Sequence, residues 1–337
     1  MLFRRVCCKN TFLRKLTVGR QYSTQARPYG ICLDMDGVLI KGNYVIPETK
    51  QALRFLNGDN ALRKKIPFIL LTNGGGTSES AKAHQLSRLF EVPISPSQIV
   101  LSHSPVRSLV SRYRDAHILV VGGVGQLCRQ VAIEYGFKNV VIPTDIFAWN
   151  PSIWPFGSLN EEHLREAKKV DFSREPIEAI MMFNDSRDWG RDLQIMLDVL
   201  RSKDGYIGTL ADDTELASHQ TPLYFTNPDF EMTGKTLKYE LFGKPETPTY
   251  RYAEASLESQ AASLFKDTDH KGIRHIYAVG DNPAADIAGA NAHNWTSILV
   301  RTGVFQGKDN DSKFPADYVA QHVFEAVQWM FDREERL

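Results

Sequence analysis

The chain has 337 residues, 42% of them hydrophobic, and 40 Lys+Arg balance 40 Asp+Glu to a formal net charge of zero. That length and apolar content suffice for two domains or one large one with a sizeable core. No apolar run reaches the length of a membrane-spanning helix, and four cysteines, two of them adjacent near the N-terminus, give no disulfide framework.

Residues 1–22 hold Arg4, Arg5, Lys9, Arg14, Lys15 and Arg20 and no acid, the first carboxylate in the chain being Asp34. With Leu2, Phe3, Val6, Phe12, Leu13 and Leu16 interspersed, this is the basic, acid-poor, amphipathic pattern of a mitochondrial import segment, and a processing site is expected after Tyr22. The alternative is a basic arm for nucleic acid. Without those 22 residues 34 basic groups face 40 acidic ones, and that negative balance argues against a nucleic-acid partner.

Beyond this segment, short apolar runs alternate with amphipathic stretches, the rhythm of βαβ units around a parallel sheet. The first run, 29–33, delivers Asp34 and Asp36 to a turn opened by Gly37. Side chains at i and i+2 of an extended strand share a face, so the two carboxylates converge. Such a pair needs a positive partner, and oxygen-only ligands favour Mg2+; an ordinary Asx-rich turn is the alternative. A helix is expected at 47–57, then a strand at 67–72 that ends in Thr72, Asn73 and Gly74 with Gly75 and Gly76 following. A glycine-rich turn can cup an anion on its free N–H groups, with Thr72 adding a hydroxyl, although many such turns only reverse the chain. Helix 78–90, strand 98–102 and helix 104–114 come next, with His103 expected to be a hydrogen-bonded structural residue.

A second βα series has strands at 117–122, 139–142 and 177–183. Gly122-Gly123-Val124-Gly125 invites a dinucleotide reading, but the GxGxxG spacing and the following acid are missing. Asn184-Asp185-Ser186-Arg187-Asp188 is too polar for a buried connection, and Trp189 opens an apolar-periodic helix through Leu193, Ile195, Met196 and Leu200. The chain is expected to return to the first sheet with a strand at 222–226. Phe242-Gly243-Lys244-Pro245 then holds a lysine in a stiff setting, suited to meeting a phosphate as a point charge or else simply solvated. Helix 248–265 leads to strand 274–279 and Asp281, with Asp286 five residues on in helix 283–291; strand 296–300 and helix 319–334 complete the order. Asp34, Thr72 and Asp281 thus lie at carboxyl ends of strands, where ligands of such sheets collect.

In this order, Asp34-Met35-Asp36-Gly37-Val38, the strand ending in Thr72, then Lys244, then Gly280-Asp281-Asn282-Pro283-Ala284-Ala285-Asp286 resemble the four signatures of the haloacid dehalogenase superfamily of phosphohydrolases. The short interval from Asp34 to Thr72 and the long one to Lys244 are similar to the class IIA, NagD-like branch, whose cap lies between the second and third signatures. Thr72-Asn73-Gly74-Gly75-Gly76, Phe183-Asn184-Asp185 with Asp188-Trp189, and the Gly280 to Ala284 run look like the mitochondrial cat eye syndrome critical region protein 5-like hydrolases. The resemblance implies an α/β fold: a Rossmann-like core with a parallel sheet and an inserted α/β cap. The chain would divide into a transit peptide at 1–22, core at 28–115, cap at 116–219 and core again at 220–337.

The resemblance further implies a Mg2+-dependent phosphatase of the mitochondrion, in the matrix, acting on a small phosphorylated metabolite. It would have no nucleic-acid partner and would form a homodimer through the cap; glycerophospholipid metabolism is one setting. Asp34 would be the nucleophile that forms an aspartyl-phosphate and Asp36 the general acid and base. Asp34, Asp36 through its backbone carbonyl, Asp281 and Asp286 would serve the metal, and Thr72, Asn73, Gly74 and Lys244 the phosphate. Asp185, Asp188 and Trp189 in the cap would select the substrate. The second aspartate, Asp36, argues against carbon–halogen cleavage.

One segment departs from the branch. Its members place a glycine-rich turn and a full core helix between the stretch matching Asn227-Pro228-Asp229 and the lysine, whereas only residues 230 to 242 intervene before Gly243 here. Either a core helix is shortened or a segment is missing from the gene model, which leaves open a catalytically weak binding or regulatory relative. A phosphotransferase is a further alternative, since the sequence does not specify which acceptor resolves the intermediate.

Overall fold

The computed structural model describes residues 28–226, 239–265 and 272–336. The expected import segment and its cleavage point lie outside these residues, as do Asn227-Pro228-Asp229 and most of the short segment before Lys244.

From its start the described chain forms β1 (Tyr29–Asp34), the antiparallel hairpin of β2 (Ile40–Lys41) and β3 (Tyr44–Val45), α1 (Thr49–Leu56), β4 (Phe68–Leu71), α2 (Glu79–Phe90) and β5 (Ile99–Val100). Ser78 caps α2, its hydroxyl accepting from the Ala81 N–H at 3.2 Å. The helix expected at 104–114 is a 3-10 segment, Ser104–Leu109, that runs into a single α turn, α3 (Val110–Tyr113). Its serines explain the tighter winding: Ser104 accepts from the Leu101 N–H and Ser108 donates to the Pro105 carbonyl, in competition with the α ladder.

The middle of the chain supplies β6 (His117–Val121), α4 (Leu127–Tyr135), β7 (Asn139–Val141), α5 (Pro143–Trp149), α6 (Glu161–Glu166), β8 (Ala179–Met182), α7 (Trp189–Leu200), α8 (Asp213–His219), β9 (Leu223–Phe225) and β10 (Tyr239–Leu241). The rest adds α9 (Thr247–Leu264), β11 (His275–Gly280), α10 (Ala288–Ala292), β12 (Thr296–Val300), β13 (Tyr318–Ala320) and α11 (Val323–Arg336).

Two parallel sheets result, in the orders β13-β12-β11-β1-β4-β5 and β10-β9-β8-β6-β7. In the first, β1 is central, with Cys32 facing Ala278 of β11 on one side and Ile69 of β4 on the other. Both faces are covered, which is why these strands read as continuous apolar runs. Leu33, Leu70, Val279 and Ile298 pack beneath α1, α2 and α11 with Leu53, Phe90 and Met330, while Cys32, Ile69 and Ala278 meet Tyr250, Ala253 and Leu257 of α9. The second sheet is sandwiched likewise, between α4 residues such as Val131 and α7 residues such as Ile195 and Val199.

One strand lies elsewhere than expected. The run at 222–226 is β9, and it joins the second sheet, where Tyr224 pairs with Met181 of β8; β10 then extends that sheet. The second sheet therefore reaches Leu241, past the expected cap boundary at 219. Leu223, Tyr224 and Phe225 are all buried, which marks a covered strand, but backbone pairing leaves no sequence trace of which sheet receives it. Among the described residues no helix is long and apolar enough to cross a membrane, and Cys32 and Cys128 are buried and unpaired.

Candidate active site

A cavity of about 510 Å³ opens at the carboxyl ends of β1, β4 and β11. Asp34, Asp36, Thr72, Asn73, Gly74, Lys244, Asp281 and Asp286 all line it, so residues spread over 253 positions of sequence meet at one strand end.

Parallel register fixes the centre of this group. Asp34 is the last residue of β1, level with Leu71 just before Thr72, and Asp281 follows Gly280 at the end of the neighbouring β11. Both are buried, as is Asp286 in the π-helical turn Pro283–Ile287 that follows. Oxygens of Asp34, Asp281 and Asp286 lie within 4.8 Å of one another. The buried Lys244 ammonium donates to Asp34 Oδ1 and, at 2.6 Å, to Asp286 Oδ1. Asp286 Oδ2 accepts from the N–H groups of Asp281 at 3.1 Å and Asn282 at 3.0 Å, and Asp281 Oδ2 accepts from Val304.

Burial alone would lower the pKa of Lys244, but the charges of Asp286 and Asp34 outweigh it and hold the ammonium well above its ordinary value. Burial lifts Asp34; Lys244 pulls it back, and Asp286 and Asp281 push it further up. Asp281 is raised mainly by burial and by Asp286, against the Val304 hydrogen bond. Three buried carboxylates facing one ammonium cannot all stay ionised without cost away from water, which is why Asp34 and Asp281 are pushed up when nothing else positive is near. A divalent cation with oxygen ligands answers that imbalance, and the donor set fits Mg2+.

The turns around the carboxylates are built close. A Cβ on Gly37 would lie 2.3 Å from Asp281 Oδ2, and Gly37 also has φ +83°, a backbone that suits glycine. A Cβ on Gly303, in the turn after β12, would lie 1.8 Å from the same oxygen. Asp36 differs from its partner in being exposed at the mouth of the cavity.

The Thr72 to Gly74 turn is more internally bonded than the sequence implies. Thr72 Oγ1 accepts from the Gly74 N–H at 3.0 Å. The Asn73 carboxamide clamps the Lys244 backbone, accepting from its N–H at 2.6 Å and donating to its carbonyl at 3.1 Å. Asn73, expected to hold phosphate, lines the cavity and with its carboxamide also places the lysine. Gly243 is fixed in turn by Thr249 Oγ1, which accepts its N–H at 2.7 Å. Lys244 reaches the site despite the short segment that precedes it.

Asp185, Asp188 and Trp189 do not line this cavity. Asp185 is exposed, with its carbonyl accepting the Gly123 N–H at 2.9 Å. Asp188 caps α7 through the Arg191 N–H at 3.2 Å, and Trp189 packs against the apolar cluster of the second sheet. The same connection does approach the site through its first two residues: a Cβ on Gly75 would lie 2.8 Å from the Phe183 carbonyl, and one on Gly76 2.4 Å from Asn184 Nδ2. Sequence reading also passed over Lys41, which lines the cavity from the β2–β3 hairpin; the Gly42-Asn43 turn signal beside it was the available cue.

The profile of haloacid dehalogenase-like hydrolases matches residues 31–138, and a HAD-hydrolase-like profile matches 241–326. A Schizosaccharomyces pombe protein named a cardiolipin synthase (CMP-forming)/mitochondrial hydrolase fusion is 38% identical over 96% of this chain, which spans 56% of that protein's length. A mitochondrial hydrolase of Saccharomyces cerevisiae is 33% identical, with 91% of this chain and 97% of its own length covered. Among solved structures, a 4-nitrophenylphosphatase of Thermotoga maritima superposes with a TM-score of 0.56 at 16% identity, over 91% of this chain and 99% of that one. A glycerol phosphate phosphatase of Mycobacterium tuberculosis, solved with magnesium, gives 0.54 at 16% identity over 90% and 78%.

Proposed function

Because the chain belongs to the haloacid dehalogenase-like hydrolases, in their class IIA branch, we propose that it is a Mg2+-dependent phosphatase of small phosphorylated metabolites that works through an aspartyl-phosphate. The observation that carries this reading is the meeting of Asp34, Asp281, Asp286 and Lys244 at one strand end. Asp34 attacks phosphorus in line as the ester oxygen leaves, and Asp36, exposed at the cavity mouth and able to exchange protons with water, protonates that oxygen. Asp36 then takes a proton from the water that cleaves the aspartyl-phosphate, so that inorganic phosphate departs and Asp34 is restored. Lys244 and the Thr72 hydroxyl face the oxygens on which charge builds. Asp34, Asp281 and Asp286, with the Asp36 carbonyl, would hold Mg2+, which when bound neutralises phosphate charge and lets one anion approach another.

The magnesium-bearing glycerol phosphate phosphatase and the fusion of a relative to a cardiolipin synthase support glycerol phosphates and other phospholipid precursors as the first substrates to try. The relatives' names support a mitochondrial location, and the basic segment at 1–22 supports import into the matrix. Substrate selection by Asp185, Asp188 and Trp189, and self-association through the second sheet's domain, belong to the same proposal; substrate profiles of variants and the solution mass test them. The reading of a weak binding relative rested on the short segment, and the seating of Lys244 between Asp34 and Asp286 favours the enzyme.

Phosphate release from p-nitrophenyl phosphate and a metabolite panel tests the core of the proposal. Turnover should need Mg2+, be inhibited by Ca2+, which prefers more ligands at longer distances, and fall at least about a thousandfold in Asp34→Asn. Activity that survives chelation, or near-wild-type rates in Asp34→Asn, would defeat it.

A further inference from the structure

Beside the catalytic cavity a second polar group lies buried where the two sheets meet, and the chemistry above makes no use of it. Glu79, the first residue of α2, accepts from Ser104 Oγ at 2.6 Å, from Tyr135 Oη at 2.7 Å and from Arg107 at 2.9 Å. Those hydrogen bonds and the Arg107 charge together outweigh burial and hold its carboxyl below the usual range, so Glu79 is an acceptor only. Tyr135 has one proton and gives it to Glu79. With that proton committed, its oxygen, 2.6 Å from His103 Nδ1, is placed to accept, which favours the Nδ1–H tautomer of His103.

That ring stands at a junction. It stacks on Phe183 with centroids 5.2 Å apart and planes 11° apart, and its buried Nε2 makes no hydrogen bond of normal geometry, while the Thr77 backbone also acts on the ring. A Cβ on Gly75 would lie 2.9 Å from His103 Cδ2 and 2.8 Å from the Phe183 carbonyl, so the glycine-rich turn runs between the histidine of the first sheet's domain and the loop leaving β8. Tyr135 is the last residue of α4 on the second sheet, whereas Glu79 and His103 belong to the first. The relay thus crosses from one domain to the other within contact distance of the turn that follows Thr72.

We propose that Tyr135, by bridging His103 and Glu79, is a positioning residue that fixes His103 as the spacer between the glycine-rich turn and the Phe183–Asn184 loop and so sets which leaving groups the site accepts. The inference rests on the phosphatase reading for its activity readout alone. Unlike a residue needed only for folding, a spacer changes selectivity and local order without an equal loss of global stability.

Tyr135→Phe removes one oxygen and keeps the ring. Hydrogen exchange at 74–76 and 183–185 should rise together by about tenfold while β12 amides stay as they were. The ratio of kcat/KM for glycerol phosphate to that for a nucleoside monophosphate should shift by about fivefold or more. His103→Asn, which keeps a donor near the Nδ1 position, should restore most of what His103→Ala loses in both readouts. Unchanged exchange at the two segments overturns the proposal, and so does a constant ratio in which both substrates fall in step with Tm. If the wild-type protein hydrolyses no phosphomonoester, the phosphatase reading fails and the exchange measurement still decides the role of Tyr135.

Discussion

Asp34 and His103 are both buried, yet one is surrounded by charge and the other by rings, and that contrast governs what each can do. His103 is pushed down to about 4, chiefly by burial, with the Arg107 charge adding and Glu79 opposing. Its folded pKa is therefore below the ordinary 6.5, so the unfolded chain binds a proton between pH 6.5 and about 4 that the folded chain refuses. The contribution is complete above pH 6.5 and is lost as pH falls toward 4, amounting to at most about 3 kcal/mol. His103→Asn has no such titration. Urea unfolding at pH 7 and at pH 4 should show wild type losing up to about 3 kcal/mol more than His103→Asn over that interval; parallel losses would mean the imidazole is not held neutral. At this scale the residues that line the cavity were legible because Asp34, Asp36, Thr72, Lys244 and Asp281 come in the order of the family's four signatures, each being a weak signal alone. The committed carboxamide of Asn73 and the placement of Lys41 were not, since each depends on a partner distant in the chain.

Elements were legible where a strand is long and covered on both faces. The expected strands 29–33, 274–279 and 296–300 correspond within a residue to Tyr29–Asp34, His275–Gly280 and Thr296–Val300. The two-residue strands of the hairpin carry no period to read, and the expected helix at 319–334 absorbed the short strand Tyr318–Ala320, with the helix itself beginning at Val323. Sheet membership of 222–226 was illegible for the same reason that β9 is stable: its three residues are buried wherever the strand pairs. What the strands cannot show is how tightly the turns between them must close. After β12, Gly303 lets the chain pass over Asp281, and an added methyl would overlap its carboxylate. Gly303→Ala should therefore raise the Mg2+ concentration for half-maximal activity at least about tenfold while lowering Tm by only a few degrees, because the displaced group is the proposed metal ligand Asp281 and not an apolar core residue. An unchanged Mg2+ titration would show that Asp281 is not held by this turn.

For the molecule as a whole, the cavity is lined at the strand ends of the first of the two sheets, and the charge follows a separate logic. Residues 1–22 concentrate six basic groups and no acid, and the remainder carries 34 basic residues against 40 acidic ones. The cavity shares that acidity, with four carboxylates lining it beside Lys41 and Lys244. A basic segment serves no purpose for such a site, whereas positive charge on an amphipathic stretch is what the membrane potential draws inward, each charge being worth about 2.3 kcal/mol per 100 mV. Among the described residues the first strand begins at Tyr29 and the core clusters hold none before it, so changes at 4–15 should leave that core intact. Replacing Arg4, Arg5, Arg14 and Lys15 with Gln should accordingly leave the protein in the cytosol with the proposed phosphatase activity retained. Protein recovered from isolated mitochondria should begin at Ser23 or within a few residues of it; by mass spectrometry, an intact Met1 or Leu2 terminus there would refute a cleaved presequence, and import of the four-residue variant would refute the role of its charge.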